Sequence, residues 1–311
     1  MACVAVMLAG CVREPEEPLR IGTNVWIGSE PLYLARDLGH LSPEATRLVE
    51  YPSASEVLRA FRNSALDGMV ISLDEVLALA ADQLPPRIVL VADISHGADV
   101  VVARAGLRTM RDLAGKRVAV ESGAVGAYVL SRALALHQMQ PKDIEIVHLE
   151  SNEHPQAFAQ GRIDAAVTFD PFRSAMLAGG ATTVFDSSQI PGEIVDLLVV
   201  RQSILEKHPK QVTALLSGWF KAIGHLERDP EDAARRMSVR HQTTGAKFLE
   251  TLNGLRFPAR EENMQMLAGA SPGLLVTGRR LVAMMREAKL LKGPVEVETL
   301  LAPDLLSGLP P

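Results

Sequence analysis

The sequence predicts an α/β protein of two similar lobes, each built on a largely parallel sheet, joined by a two-segment hinge. Three observations predict it. From residue 19 onward, short β-branched runs alternate with amphipathic stretches, the pattern of strands interleaved with helices. The pattern recurs at an offset of 97, most plainly where Ala65-Leu66-Asp67-Gly68-Met69-Val70-Ile71 faces Arg162-Ile163-Asp164-Ala165-Ala166-Val167-Thr168. A further strand-like run and several helices then follow the second repeat, so the chain is expected to cross back to the first lobe.

The elements follow in order. Leu19–Thr23 reads as a strand, and 31–38 as a helix after a polar loop. Arg47–Tyr51 is a second strand. Ser53 and Glu56 have capping-box spacing and open a helix running to about Asn63. Gly68–Ile71 is a third strand and Asp74–Asp82 a helix. Ile88–Val91 and Val100–Ala103 are apolar strands with a waist, 92–99, between them. The second repeat reads Arg117–Val120 as a strand, a helix from the Glu121–Ala124 loop to His137, Ile144–His148 as a strand and Asn152–Gln160 as a helix. Past Ser187 and Ser188, Ile194–Val200 reads as a strand without a second-lobe counterpart. Helical periodicity follows at 210–228, 230–240 and 277–288, with no repeat partner. The boundaries are thus a tether at 1–18, one lobe at 19–94 with 190–311, and another at 98–187.

Composition narrows the function. At 311 residues and 47% hydrophobic content the chain carries enough for two cored domains. Lys and Arg number 32 against 37 Asp and Glu, a net charge of −5 with no basic block, which excludes nucleic acid as a partner. Both cysteines, Cys3 and Cys11, lie at the start, so the rest has neither a disulfide nor a thiolate nucleophile. The eight histidines are scattered with no pair at i, i+4, and no zinc signature, phosphate-binding loop or nucleophile elbow occurs. No cofactor or metal is expected, and the pattern favours binding over catalysis.

Residues 1–11 are apolar and small, and a charged, Pro-containing tether follows. Ten apolar residues are too few to span a bilayer but match the end of a secretory leader. Leu8-Ala9-Gly10-Cys11 resembles a bacterial lipobox, which makes Cys11 the lipidated residue of a cell-envelope protein. No Lys or Arg precedes the apolar run, which places the expected start of translation upstream.

Ligands of open α/β sheets bind beyond the carboxyl ends of the strands. After the first strand come Asn24 and Trp26, and Trp26 falls in a Gly-bearing loop where it either plugs the lobe or contacts a ligand. After its counterpart come Ser122 and Gly123, at a helix start suited to an acceptor group, although Ser122 is equally a plain cap. Ser72, Asp74 and Asp170 follow the third strands. Each Asp either caps its helix or anchors a ligand. No Lys or Arg lies in these loops, which weakens an inorganic anion as the ligand.

The run Trp26-Ile27-Gly28-Ser29-Glu30-Pro31-Leu32-Tyr33-Leu34-Ala35 resembles the nitrate/sulfonate/taurine-type solute-binding proteins of ABC importers, a group that includes pyrimidine-precursor-binding relatives. The resemblance continues through Ser53–Glu56, Leu66-Asp67-Gly68, the run from Asp112 to Val120, and Gly161-x-Ile163-Asp164-Ala165, covering roughly residues 19–240. It implies a type II periplasmic-binding-protein fold, hinge closure on a small molecule and delivery to a membrane permease. It also implies ligand contacts at Trp26 and at the Ser122-Gly123 helix start, with Asn24, Ser72, Asp74 and Asp170 behind them. The acidic, Arg-free loops depart from an anion site, so the anion names are not carried over.

The sequence therefore reads as a lipid-anchored, monomeric substrate-binding component of an ABC importer, closing on a small polar organic molecule. A ligand-sensing lipoprotein serving a membrane kinase or cyclase is the alternative. An enzyme of the pyrimidine-precursor-synthase type is disfavoured, because those relatives carry a Cys-rich segment and nothing after Cys11 is Cys.

Overall fold

The computed structural model describes residues 17–269 and 273–309. Cys11 and most of the tether lie outside the described residues. Among the described residues, no helix is long and apolar enough to cross a membrane.

The first lobe is built by β1 (Leu19–Asn24), α1 (Glu30–Asp37), β2 (Thr46–Tyr51), α2 (Ala54–Arg62), β3 (Gly68–Ser72), α3 (Leu73–Ala81) and β4 (Arg87–Ser95). Local chemistry sets these elements. Ser53 Oγ accepts the Glu56 amide at 3.3 Å and starts α2. Helix α2 then buries Ala54, Val57, Leu58 and Phe61, the spacing of one helical face. All five residues of β3 are buried, because helices cover both faces of its sheet.

The chain crosses into β5 (Val100–Ala103), β6 (Arg117–Val120), α4 (Val125–Leu136), β7 (Glu145–His148), α5 (His154–Ala159), β8 (Ala165–Thr168), α6 (Phe172–Ala178) and β9 (Thr182–Asp186). It returns as β10 (Val195–Val200). The remaining elements are α7 (Gln202–Lys207), α8 (Pro209–Arg228), α9 (Pro230–Met237), α10 (Gly245–Leu252), β11 (Leu255–Arg256), α11 (Arg260–Ala268), α12 (Gly273–Glu287) and α13 (Asp304–Ser307). Helices α8 and α9 pack on α1, and α12 on α3, so they thicken the first lobe.

The sheets run β11-β4-β10-β3-β1-β2 and β7-β6-β8-β5-β9. Strand β1 is parallel to β2 and β3, as β6 is to β7 and β8. The crossing strands run the other way. Strand β10 is antiparallel to β3 and β4, and β5 to β8 and β9. This corrects the expected largely parallel sheets. A strand that arrives from the opposite lobe enters its sheet from the cleft side and so runs against the rest.

A second correction concerns β10. It does have a counterpart, β5, at the same offset of 97: Val200 pairs with Gly68 as Ala103 pairs with Ala165. Each repeat thus gives its last strand to the other lobe. The exchange hides in the sequence because the partner strand is sought in the wrong lobe. The first crossing is also shorter than the expected 92–99, since β4 continues to Ser95 and leaves only residues 96–99. In the waist Ser95 Oγ and Ser187 Oγ lie 2.8 Å apart, and Ser187 Oγ accepts from the Gly97 amide at 2.7 Å.

Candidate functional site

Strand ends from both sheets meet across one cavity, and the 97-residue offset organises its wall. Asn24 and Glu121 are equivalent, each just at or beyond the end of its lobe's first strand, and both line it. Ser72 and Phe169 are equivalent at and just beyond the ends of the third strands. Asp99 and Asp196 are equivalent on the two exchanged segments. The repeats therefore build a pseudo-twofold pocket. About 560 Å³ of space, part of it open to solvent, lies between its walls.

Trp26 breaks the pseudo-symmetry. Its indole N–H donates to Asp93 Oδ2 at 3.3 Å, and its ring meets Phe169 of the other lobe edge-on, with centroids 5.2 Å apart. Gly28 makes this possible: a Cβ there would fall 2.1 Å from Asp93 Oδ2 and 2.3 Å from Trp26 Nε1. The loop is braced from behind by Glu30, which is buried and pairs with Arg240 Nε and His241 Nε2, each at 3.0 Å. Arg240 in turn stacks 3.4 Å over the Tyr33 ring.

The wall carries four carboxylates, Glu75, Asp99, Glu121 and Asp196, and neither Lys nor Arg. Burial, which penalises the charged form, pushes Glu75 up to about 8, with repulsion from Asp74 adding to it. Burial likewise raises Asp99 to about 6 and lifts Asp196 well above the usual carboxylate range. Asp93 and Asp196 are register partners on adjacent strands, close enough to share a proton, and Asp93 is pushed to about 7, again mainly by burial. Glu121 joins the lobes: Oε1 accepts the Ser55 amide at 2.7 Å from α2, while Oε2 accepts Ser151 Oγ at 2.5 Å.

Of the residues singled out in the sequence, Asn24, Trp26 and Ser72 line the cavity. The other four do not. Asp74 is buried behind the wall, accepting from Ser72 Oγ at 2.7 Å. Ser122 is exposed and its hydroxyl pairs with His148 Nδ1. Gly123 is exposed too, at φ +75°, a conformation that favours glycine in the turn into α4. Asp170 accepts from the Ser174 amide at 3.1 Å near the start of α6 and lines a neighbouring hollow with Ile27 and His241. Sequence reasoning missed Glu75, Asp99 and Asp196. Glu75 lies three residues after Ser72, at the spacing of a capping box, and accepts the Ser72 amide at 2.8 Å. The offset would have found the other two.

Two lobes of reciprocal topology closing over a shared pocket define the type II periplasmic-binding class, the two-lobed solute-binding proteins. Within it the chain belongs to the NMT1-like family, whose profile matches residues 13–240. It is 27% identical over 192 residues to the taurine-binding periplasmic protein of Escherichia coli (strain K12), covering 60% of either chain. It is 29% identical over 222 residues to a putative aliphatic sulfonates-binding protein of the same organism, covering 66% of each. The chain thus aligns over slightly less than two thirds of these relatives' length. Among solved structures, the alkanesulfonate-binding protein of Xanthomonas axonopodis pv. citri bound to MOPS superposes with a TM-score of 0.79 at 22% identity, covering 93% of this chain and 99% of that one. The periplasmic nitrate-binding protein of Synechocystis PCC 6803 gives 0.74 at 14%, covering 96% and 87%. These likenesses establish the fold.

Proposed function

We propose that the chain is the substrate-binding component of an ABC importer, presenting a small polar organic molecule to a membrane permease. The observation that carries this reading is the cavity itself, walled by strand ends of both lobes and bridged by the Trp26–Phe169 contact. A solute held there touches both lobes only when they are shut, so binding shifts the population toward closure. The relatives named as binding proteins support the role. The closing bodies are residues 19–94 with 190–311, and residues 98–187, moving as a monomer. Trp26 supplies the apolar face, and Asn24 and Ser72 are polar contacts. Asp74, Ser122, Gly123 and Asp170 support the wall from outside it. Lipidation at Cys11 would hold the protein at the extracytoplasmic face of the envelope.

The test is a thermal-shift titration with a panel of small metabolites. A cognate solute raises the melting temperature with saturation, and Trp26→Ala weakens that solute. Unchanged affinity in Trp26→Ala would remove the site from this cavity.

A further inference from the structure

We propose that the cavity takes a small organic cation whose protonated nitrogen sits among Glu75, Asp99 and Asp196. The inference rests on reading the chain as a solute-binding protein, and it adds the charge of the solute.

Three observations carry it. First, the four wall carboxylates have no Lys or Arg among the lining residues to balance them. Mutual repulsion links Asp196 to Asp99 and Glu75, and Glu75 to Glu121, so the groups share one field. Second, some acceptors in this wall are unspent. Glu75 Oε1 and Asp99 Oδ2 have no hydrogen-bond partner among the described residues, although each side chain's residue is only 3% exposed. A buried acceptor without a donor costs free energy, and a ligand N–H removes that cost. Third, the places where an anion would sit are taken. Helix N-termini attract anions, but the Ser55 amide of α2 already donates to Glu121, and the Ser72 amide at the head of α3 already donates to Glu75. Ala124 to Gly126, opening α4, still offer amides, but an anion there would share the cavity with Glu121.

A metal ion fits less well. Among the described residues no three carboxylate, imidazole or thiol groups lie close enough together to ligate one, whereas an organic ammonium or guanidinium is larger and hydrogen-bonds at longer range. A cation with its charge on an organic body also uses the apolar part of the wall, where Trp26 and Phe169 present their rings. Because burial disfavours ionisation of the wall carboxylates, a bound cation draws protons off them, and binding near neutral pH releases protons to solvent.

The probes are ethylammonium, benzylammonium and guanidinium chlorides, sodium ethanesulfonate, taurine, sodium nitrate and calcium chloride, each titrated calorimetrically against the full chain at constant ionic strength. The expected result is saturable binding of at least one organic cation, none of ethanesulfonate or nitrate, and taurine only through its ammonium group. Glu75→Gln and Asp196→Asn each weaken the cation about tenfold or more. Unliganded, both variants melt at or above the parent, since each removes a buried carboxyl crowded by its like-charged neighbours; a carboxylate with a merely structural role would melt lower. Ethanesulfonate or nitrate binding in preference to the amines overturns the charge assignment while leaving the solute-binding reading intact. Calcium binding in place of the amines overturns the organic ligand. A parent indifferent to every probe at millimolar concentration, with variants melting below it, overturns the proposal; loss of closure with any solute would overturn the binding reading as well.

Discussion

Asp93, Glu75 and Asp196 are buried among one another, and that has a consequence for stability. A carboxyl whose value in the folded state lies above its unfolded value binds a proton in the fold that the unfolded chain has released. Its contribution is complete below the unfolded value and is lost as pH rises through the folded one. For Asp93 the loss accrues from its unfolded value near 4 up to about 7, and for Glu75 from its unfolded value near 4.5 up to about 8. His154, buried and lowered to about 4, acts in the opposite sense, but only below its unfolded value near 6.5. Asp67, Asp164 and Asp232, held down chiefly by arginine partners, matter only in acid. The unliganded protein should therefore melt progressively lower from pH 6.5 to 8, with Glu75→Gln flattening the slope. Calorimetry across that range checks it, and a rising melting temperature contradicts it. At this scale Trp26, Asn24 and Ser72 were legible because a strand end announces itself in the sequence. Asp99 was not, because a residue in a short crossing reads as linker.

Equivalent positions in the two repeats perform the same bonding at the scale of elements. Arg20 donates its backbone N–H and guanidinium to Asp67, and Arg117 does the same to Asp164. Arg104, just after β5, donates to the carbonyls of Ile163 and Phe158 and stacks 4.4 Å over the Phe158 ring. Arg201, just after β10, donates to Leu66 and Phe61 and stacks 4.0 Å over Phe61. These two arginines pin the exchanged strands to the lobes that receive them. Arg104→Ala and Arg201→Ala should each cost about 1–3 kcal/mol, the range for charged hydrogen bonds. Lysine should rescue neither, since it lacks the planar fork that reaches two carbonyls while stacking. Denaturant unfolding of both pairs of variants measures this, and full rescue by lysine would refute the pinning role. The repeated Asp67 and Asp164, and Arg20 facing Arg117 at the same offset, were visible in the sequence; that each Arg pairs with its Asp 47 residues away was not.

Closure is a property of the whole molecule, and Glu121 is the side chain that ties it most directly. Its carboxylate takes an unpaired amide from the first turn of α2 in one lobe and a hydroxyl from Ser151 in the other. Glu193, on the return crossing, adds a second tie by accepting from Tyr128 at 2.8 Å and Arg132 at 2.7 Å on α4. Losing a charged hydrogen bond of about 1.5–3 kcal/mol lowers the closed population about tenfold or more. Glu121→Ala should accordingly enlarge the radius of gyration of the unliganded protein in small-angle scattering. An unchanged radius would show that the tie does not hold the lobes.

Strand and helix periods, the duplicated Asp motif and the turn residues are local patterns, and they determined the α/β class, the two-lobed repeat and the places where a pocket would open. Local pattern cannot say which sheet a strand joins, since the apolar run of Val100–Ala103 would bury equally well in either lobe. Only the tertiary structure decided the strand exchange. With it came the meeting of Asp99, Asp196 and Glu75 in one wall, because burial and charge repulsion depend on distances through space that sequence separation does not encode.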